Sequence, residues 1–472
     1  MTAKRTAADF PRTDSGNAEL IASMFGDRLR FDHLQKQWLI CREGRWAKDC
    51  DGEVFRMAKK AARERLKVAA RGDKEDSENK AAEWALQSES HHRVKAALEL
   101  AKSTPPIADT GNGWNADPLL ICVRNGVVNL HTGKLRPARP EDRITLQAGV
   151  AFDPAATCPR FERFLEDVFL GDKELIRYVQ KTIGYSLTGD VSEQCLFLCY
   201  GEGANGKSTL LETLRHVLGS YAHNVPFSTF ELKARSGISN DVAGLVSKRF
   251  VTAAETNEGA VFNEARMKSV TGGDSLSARF LYGEHFTFQP TGKVWLAFNH
   301  KPRVNDDSHG FWRRVRLIPF LAKFDGAKQD RKLPAMLRAE GSGILAWAVR
   351  GCMLWQQEGL EQPRSVSQAT QAYRDESDLL ADFLADCYEI DPSGLVTTAE
   401  LRQDYERWCG ENGQNPLDTR AMAERLRGRN VNPAKIGHAR TRGWRGLRKK
   451  PDSLPDFPDH ADMRTDADTK IQ

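Results

Sequence analysis

A glycine-rich octet constrains this chain most, because it fixes what must come before and after it. The octet reads GEGANGKS and runs from Gly201 to Ser208. An apolar run from Cys195 to Tyr200 precedes it, and apolar residues follow at helical spacing, at positions 210, 211, 214, 217 and 218. The octet therefore lies between a predicted strand and a predicted helix. That is the context which a phosphate-binding loop of the G-x-x-x-x-G-K-[ST] pattern requires.

The residue types of this loop suit a nucleoside triphosphate. Glycines let the backbone approach the phosphates, and amides at the start of a helix donate to phosphate oxygens. Lys207 is expected to reach the β- and γ-phosphates, and Ser208 to ligate Mg²⁺. A glycine-rich turn without a ligand is the alternative, and the flanking strand and helix argue against it. The predicted nucleotide-binding residues are Gly201, Glu202, Gly203, Ala204, Asn205, Gly206, Lys207, Ser208 and Thr209.

Composition excludes several other classes of protein. With 472 residues, 40% apolar and 28% charged, the chain predicts a globular protein of roughly two to four domains. Neither a long apolar span nor a hydrophobic N-terminal signal region is present, so a cytoplasmic protein with no membrane partner is expected. The nine cysteines lack C-x-x-C spacing and predict reduced, mostly buried thiols.

Two further strands are predicted to end in polar residues beside the loop. The β-prone run from Arg249 ends at Glu255, a candidate general base and Mg²⁺ ligand, with Glu258 as the reserve. The run from Val294 ends at Asn299, which is well placed to orient a hydrolytic water. An arginine pair, Arg313 and Arg314, follows. One of them, projected into a neighbouring subunit's site, would stabilise the charge of the transition state.

Taken together, GEGANGKST, AAETNEG, KSVTGGDSLSAR, WLAFNHKP and GFWRRVRLIPF resemble the superfamily 3 helicase core of the phage and plasmid primase-helicase family, relatives of the poxvirus primase-helicase. The resemblance covers roughly residues 115–325. It implies an AAA+-like α/β P-loop NTPase with a parallel sheet. It also implies that Glu255 is the Walker B acid, Asn299 the sensor, and either Arg313 or Arg314 the arginine finger.

The same resemblance places a DNA-translocating hairpin after the 268–279 segment. Either residues 282–285 or residues 289–293 would then lie near the channel, and a purely structural β-hairpin remains the alternative. The first 115 residues show no acidic pair on a strand, so a separate primase, or none, is expected. The residues predicted to contact DNA in this part of the chain are Lys268, Arg279, Tyr282, His285 and Lys293.

The C-terminal part predicts a second DNA-binding element. A helical pattern opens at Asp378, and two further helical patterns and a basic hairpin follow, the outline of a winged helix-turn-helix. Ten Lys or Arg residues and no acidic residue lie between Arg425 and Lys450. Arg440, Arg442 and Arg445, around Trp444, are expected to contact DNA phosphates, and a solvated basic tail is the alternative. Residues 451–472 predict a disordered acidic end.

Shorter patterns predict the elements upstream of the loop. Residues 30–55 alternate as in a β-meander, residues 54–102 are helical in composition, and strands are expected to join at Asn125-Gly126 and Thr132-Gly133. From Pro159 a helical pattern resumes. The predicted domains are an α-rich accessory region (1–115), a helical lead-in or collar (116–190), the ATPase core (191–330), a helical extension (331–376), the winged-helix-like domain (377–450) and the acidic tail (451–472).

The resulting hypothesis is an ATP-dependent DNA helicase of phage, prophage or plasmid replication in a bacterial host cell. It would use ATP and Mg²⁺, form a homo-hexameric ring around single-stranded DNA, and hold origin duplex with its C-terminal domain. Two alternatives stay open: a ring ATPase that acts on a protein partner, and a nucleotide-switched origin-binding protein without unwinding activity.

Overall fold

The computed structural model describes residues 5–70, 75–232, 240–254, 259–279, 285–306, 308–326, 329–414 and 416–451. The chain forms two compact units. The first comprises Met1–Lys301 with Arg314–Ala369, and the second comprises Pro302–Arg313 with Thr370–Gln472. The glycine-rich loop therefore belongs to the first unit, and the basic C-terminal stretch to the second.

The first unit begins with helices packed on a small sheet. Its elements are α1 (Asp14–Phe25), β1 (Leu29–Asp32), β2 (Gln37–Arg42), β3 (Arg45–Lys48), α2 (Glu53–Ala69), α3 (Glu75–Ser88), α4 (His91–Ala101) and β4 (Ala108–Asp109). The sheet order is β3-β2-β1-β4, with β1, β2 and β3 antiparallel and β4 parallel to β1. Apolar side chains of α1, α2, α4 and β1 share one core. The predicted meander and helical region are confirmed.

A second small sheet and two helices lead into the glycine-rich loop. They are β5 (Leu120–Val123), β6 (Gly126–Asn129), β7 (Lys134–Arg136), α5 (Pro159–Val168) and α6 (Lys173–Ser186). The three strands are antiparallel, and the turns fall where the sequence predicted them. Gly126 and Gly133 both have positive φ, 148° and 68°, which explains why glycine occupies these turns.

The rest of the first unit is built on a five-stranded sheet. In chain order the elements are β8 (Leu196–Tyr200), α7 (Lys207–Leu218), β9 (Ala222–Asn224), α8 (Asn240–Ala243), β10 (Phe250–Ala254), α9 (Glu264–Gly272), β11 (Leu276–Arg279), β12 (His285–Phe288), β13 (Lys293–Phe298), α10 (His309–Trp312, in the second unit), β14 (Val315–Pro319), α11 (Leu333–Ala339), α12 (Gly341–Glu358) and α13 (Arg364–Glu376, in the second unit from Thr370 onward).

The sheet order is β14-β8-β13-β10-β9, and every pair of neighbouring strands is parallel. The apolar run of β8 is buried along nearly its whole length, as expected for an inner strand of a parallel sheet. Phe197 of β8 and Trp295 of β13 join residues of α5, α6, α7 and α12 in the largest core among the described residues. The predicted α/β class with a parallel sheet is confirmed. The carboxyl ends of β8, β13 and β10 meet at one edge, where open α/β sheets bind ligands.

The second unit contains helices and an antiparallel sheet. Its elements after α13 are α14 (Leu379–Cys387), β15 (Tyr388–Thr397), α15 (Thr398–Glu411), α16 (Thr419–Gly428), β16 (Asn432–Ile436) and β17 (Thr441–Lys449), with sheet order β15-β17-β16. Leu401, Leu426 and Trp444 lie in its core, so Trp444 packs inward rather than among the surface arginines. The predicted helices and C-terminal hairpin are confirmed.

Residues 302–313 belong to this second unit, although the predicted ATPase core spans 191–330. Trp312 contacts the ring of Tyr373 edge-on at 5.3 Å, and the Tyr373 hydroxyl donates to the Pro302 carbonyl. Arg425 of α16 donates to the carbonyl of Asn305 at 2.5 Å. These contacts hold the segment against α13 and α16.

Two further observations concern possible membrane-spanning helices and the state of the cysteines. In the described part of the chain, no helix combines the length and apolar character needed to cross a bilayer. All nine cysteines are free, and all but Cys50 are buried.

Two glycines allow α6 and α12 to pack in very close contact. A Cβ added to Gly184 would lie 2.1 Å from the backbone nitrogen of Cys352, and one added to Gly351 would lie 2.2 Å from the carbonyl oxygen of Gln180. Backbone atoms cannot move aside as a flexible side chain can. Glycine at both positions therefore sets how closely the two helices approach.

We predict that Gly184→Ala destabilises the protein by at least about 2 kcal/mol, because the new methyl group forces α6 away from α12. Gly410→Ala is the matched control: Gly410 is an exposed glycine of α15, and nothing lies within 4 Å of a Cβ there. That substitution should be neutral or stabilise by about 0.5–1 kcal/mol. Urea unfolding measures both changes, and equal effects would contradict the packing argument.

Candidate active site

The glycine-rich loop connects β8 to α7 through backbone conformations that favour glycine. Gly203 and Gly206 have φ values of 109° and 89°. A Cβ at Gly206 would lie 2.7 Å from Val168 of α5, and a Cβ at Gly201 would lie 2.3 Å from the carbonyl oxygen of Phe320. The loop is therefore packed tightly between α5 and the segment that follows β14. Glycine at these positions is therefore required by the close packing, as well as by the phosphate-binding pattern.

The ammonium group of Lys207 lies at the centre of the site. Its Nζ donates to the carbonyl oxygen of Gly201 at 2.6 Å, to Oδ1 of Asn205 at 2.9 Å and to Oδ1 of Asn299 at 3.0 Å. Burial lowers the pKa of Lys207. The structure thus brings together the predicted phosphate-binding lysine and the predicted sensor asparagine, which are separated by 92 residues in sequence.

Asn205 extends this contact to a third strand. It is buried, and its Nδ2 donates to the carbonyl oxygen of Phe320, directly after β14, at 3.3 Å. One side chain thereby links the loop after β8 to the end of β14, while its Oδ1 accepts from Lys207. The ends of β8, β13 and β14 are joined through Asn205, Lys207 and Asn299.

The other predicted loop residues differ in their exposure. Ser208, in the first turn of α7, is exposed, and so are Glu202 and Ala204, while Thr209 is half-buried. An exposed hydroxyl beside the loop suits an Mg²⁺ ion, which keeps several of its waters and binds few protein ligands. Glu255 and the reserve Glu258 lie outside the described residues. β10 ends at Ala254, so the carboxylate expected at this edge stays a prediction.

A cavity of about 320 Å³ lies beside the loop. α5 supplies Arg160, Phe164 and Asp167 to its wall, and the chain after β14 supplies Phe324 and Leu333. The loop and α7 complete it with Ala204, Gly206 and Thr209. Half of its lining residues are apolar and half are polar, and its volume lies at the lower end of the range for small-molecule pockets.

Arg160 is the notable polar group of this cavity. Its Nη1 is buried and has no hydrogen-bond partner among the described residues, while its Nη2 lies 3.5 Å from Asp330. The start of α5 is held in place because the Glu340 carboxylate accepts from the amides of Arg160 and Phe161 at 3.0 and 2.9 Å. A buried donor without an acceptor is costly, so a ligand oxygen or ring nitrogen would stabilise it. Arg160 was not predicted from the sequence, because in α5 only the apolar residues recur at a spacing that indicates a helix.

The predicted DNA hairpin is formed by β11 and β12. Arg279, the last residue of β11, pairs with His285, the first residue of β12, and both side chains are exposed. Tyr282 lies outside the described residues, and Lys268 is half-buried on α9. Of the two segments left open by the sequence, residues 289–293 connect β12 to β13, and residues 282–284 lie outside the described residues.

The structure corrects the prediction for Lys293. This side chain is 2% exposed, and its Nζ donates to the carbonyl oxygens of Thr188, Asp190 and Thr291 at 2.5, 2.9 and 3.2 Å. The three protons of the ammonium group are therefore taken, and a DNA phosphate has no access to it. Lys293 fastens the start of β13 to the chain that follows α6.

The two candidate finger arginines differ in exposure. Arg313 is exposed at the end of α10, whereas Arg314 is half-buried. A Cβ at Gly272 would lie 3.7 Å from Nη2 of Arg314, so this guanidinium lies beside the turn after α9. In the second unit, Arg440 lies in the turn between β16 and β17, and Arg442 and Arg445 lie on β17; all three are exposed.

Comparison with known proteins gives two matching families. The family described as D5 N terminal like matches residues 18–170, and a family of unknown function, DUF5906, matches residues 199–314. The second match spans the glycine-rich loop and Asn299. The first covers the N-terminal helices, the small sheets and α5.

The curated relatives are viral. A protein named "Putative helicase" from Acanthamoeba polyphaga mimivirus is 29% identical over 62% of this chain and 33% of its own length. A "Putative helicase" of Frog virus 3 is 24% identical over 71% of this chain and 43% of its own. A "Putative primase" of African swine fever virus is 25% identical over 44% and 23%. The chain thus spans less than half the length of each of these relatives.

A solved structure shares the fold. The apo C-terminal region of NrS-1 superimposes with a TM-score of 0.51 at 10% identity, covering 90% of this chain and 99% of that one. A D5 N-terminal-like match over residues 18–170, together with viral relatives named as helicases and primases, makes the chain similar to proteins of the primase-helicase family. The family prediction made from the motifs is confirmed.

The buried lysine generates a prediction about pH. Burial, and then the nearby Arg249, lower the pKa of Lys293 from 10.5 to about 7. Between these values the unfolded chain binds a proton that the folded chain lacks, so stability rises with pH in this window and is lost as pH falls toward 7. The free energy of unfolding of the wild type minus that of Lys293→Met should therefore rise by up to about 1.4 kcal/mol per pH unit.

Denaturant unfolding at several pH values between 7 and 10 measures this difference. Lys173→Met is the control, because Lys173 is an exposed lysine at the start of α6, and its difference should not change with pH. A flat difference for Lys293→Met would mean that the three carbonyl oxygens keep the buried ammonium charged throughout.

Proposed function

We propose that this chain is the motor of an ATP-dependent DNA helicase of the phage and plasmid replication type. It would bind ATP in the turn after Tyr200 and hydrolyse it at subunit interfaces of a homo-hexameric ring that translocates on single-stranded DNA. The contact between Lys207 and Asn299, at the carboxyl ends of neighbouring parallel strands, carries this proposal. The viral relatives, named as helicases and primases, support the same class of activity.

Lys207 and Asn299 have complementary roles in this mechanism. The three oxygens that hold the ammonium in the structure are weaker partners than phosphate oxygens, because they are neutral, whereas phosphate oxygens carry a negative charge that attracts the ammonium. When Lys207 turns toward the β- and γ-phosphates, Oδ1 of Asn299 loses its donor. It can then accept from a water and orient that water toward the γ-phosphate.

Ser208 and Glu255 are the proposed ligands of Mg²⁺, which would neutralise phosphate charge when bound. Ser208 fits this role through its exposed hydroxyl at the mouth of the loop. Glu255, which follows β10 in the sequence, would also act as the base; Ala254, the last residue of β10, pairs with Ala297 near the end of β13. The amides of the loop and of the first turn of α7 would donate to the phosphates.

The cavity beside the loop supports a nucleoside as the other part of the ligand. Phe164, Phe324 and Leu333 offer apolar contacts to a flat base. The buried Nη1 of Arg160 requires an acceptor, and base nitrogens and ribose oxygens provide one. An inorganic phosphate bound at the loop would leave this cavity empty, whereas the base of a nucleotide could fill it. The cavity therefore favours a nucleotide.

Arg313 is the better candidate for the finger that completes a neighbouring site. It is exposed, whereas Arg314 is half-buried beside Gly272. A finger must reach into another subunit, and an arginine at the protein surface is better placed to do so than a half-buried one. Because the finger acts across a subunit boundary, hydrolysis would require the assembled ring.

DNA would be held at two places. The end of the β11–β12 hairpin where Arg279 pairs with His285 would contact the single strand, together with Lys268 of α9. In the second unit, the order helix, strand, helix, helix and hairpin is that of a winged helix, and Arg440, Arg442 and Arg445 lie exposed on the hairpin that would form the wing.

Steady-state ATP hydrolysis with and without single-stranded DNA tests the proposal. We expect the DNA to stimulate hydrolysis several-fold and Lys207→Ala to abolish it, a loss of at least about a hundredfold. Lys173→Ala, which removes an exposed lysine from α6, is the matched control and should keep full activity. Forked DNA would be unwound by the wild type and the control only.

The same assay separates the two alternatives. Hydrolysis that is indifferent to DNA favours a ring ATPase that acts on a protein. A protein that binds ATP without turnover favours a nucleotide-switched origin-binding protein, and Lys207→Ala would then spare DNA binding.

The basic hairpin gives a separate prediction. Arg442→Gln/Arg445→Gln should weaken duplex DNA binding and reduce the salt dependence of log affinity by roughly 1.8, since each lost phosphate contact contributes about 0.9. Lys95→Gln/Lys134→Gln removes two exposed lysines of the first unit and should leave the slope unchanged. Fluorescence anisotropy across a salt series measures both, and equal slopes in all three proteins would contradict the contact.

A further inference from the structure

A polar cavity of about 440 Å³ lies in the first unit between two β-hairpins. The tip of the β2–β3 hairpin contributes Arg42, Glu43 and Arg45 to its wall, and the tip of the β5–β6 hairpin contributes Arg124 and Asn125. Its volume is in the range of pockets that hold small ligands. None of the residues predicted from the sequence to bind nucleotide or DNA lines it.

The walls of this cavity are fixed before any ligand arrives. A Cβ at Gly44 would lie 2.1 Å from the carbonyl oxygen of Ala138, so the two hairpin regions are in direct contact there. The amide of Trp46 donates to the carbonyl oxygen of Ile144 at 3.0 Å. The side chain of Asn125 exchanges two hydrogen bonds of 2.9 Å with the backbone of Phe152. Binding would therefore cost little reorganisation.

The charges around the cavity are unbalanced. Arg42 is neutralised by Glu53, to which its Nε donates at 2.9 Å. Among the described residues, the guanidinium groups of Arg45 and Arg124 have neither a hydrogen-bond acceptor nor an ion-pair partner. Burial raises the pKa of Cys122, at the cavity wall, to about 11, so its thiol offers no negative charge to Arg45. Glu43 is the one acidic residue of the lining.

We propose that this cavity binds a phosphate group through Arg45 and Arg124. Guanidinium groups present planar pairs of N–H donors that match phosphate oxygens, and Arg is favoured over other residues for this reason. A free nucleotide and a nucleic-acid strand both carry such a phosphate and share this chemistry, and the two probes below distinguish them.

The cavity is separate from the loop that contains Lys207. The amide of Cys122 donates to the hydroxyl of Tyr221 at 2.9 Å, and Tyr221 follows the C-terminal end of α7. The glycine-rich loop lies at the other end of that helix, whose twelve residues span about 18 Å. The two sites therefore cannot share one phosphate group.

The test uses the full chain carrying Lys207→Ala, so that the loop after Tyr200 contributes as little as possible to phosphate binding. Two probes are titrated at low salt: ADP, followed by calorimetry, and a labelled oligothymidylate without terminal phosphates, followed by anisotropy. Arg45→Gln/Arg124→Gln should weaken at least one probe by about tenfold or more, as expected for the loss of charge-assisted hydrogen bonds. Lys48→Gln/Lys134→Gln removes the same charge from nearby exposed positions and should weaken binding less than about threefold.

The pattern of loss identifies the source of the phosphate. A loss confined to ADP assigns the cavity to a nucleotide, and a loss confined to the oligonucleotide assigns it to a strand. Arg124→Glu alone, at an exposed hairpin tip where folding is not at risk, should reproduce the loss. Unchanged affinity for both probes, or equal losses in the arginine and lysine pairs, would overturn the proposal. Because Lys207 is already removed, neither result depends on ATP hydrolysis at the loop.

Discussion

The hydrogen bonds of the Lys207 ammonium are the interaction on which the candidate active site depends. They join the loop after β8 to the end of β13 through Asn299, and Asn205 carries the connection on to Phe320 after β14. A buried cation needs acceptors, and here the acceptors belong to elements far apart in sequence. These hydrogen bonds can therefore form only when the sheet has folded. They also hold the lysine where phosphates would replace its present partners.

Buried cations fasten the opposite end of the same sheet. Arg249, directly before β10, donates to the carbonyl oxygens of Leu187 and Asp117 at 2.8 and 3.0 Å. Lys293, at the start of β13, donates to carbonyl oxygens of the same chain segment after α6. Neutral carbonyl groups can satisfy the donors of a buried cation, but they do not balance its charge. Burial accordingly lowers the pKa of both side chains. The sheet is thus tied to its surroundings at both ends by basic side chains, and only the Lys207 end is open to a ligand.

The sequence predicted what is encoded locally. The strand, loop and helix around Gly201–Ser208 could be found because glycine, lysine and apolar residues recur at spacings that the backbone itself requires, and Asn299 could be placed because it ends a strand. Lys293 was misjudged because its environment is set by carbonyl groups about a hundred residues upstream. Arg160 and Trp444 show the same limit. Neither the cavity beside Arg160 nor the core around Trp444 produces a periodic pattern in the sequence.

The central claim is that one protomer's Arg313 completes the site that contains another protomer's Lys207. Mixing two inactive variants tests it most directly: Lys207→Ala chains keep the arginine, and Arg313→Ala chains keep the loop. The account predicts that each variant alone hydrolyses no ATP and that an equal mixture regains activity, since roughly a quarter of randomly formed interfaces combine an intact loop with an intact arginine. A mixture that stays inactive, or an Arg313→Ala protein that hydrolyses ATP at the wild-type rate, would contradict it.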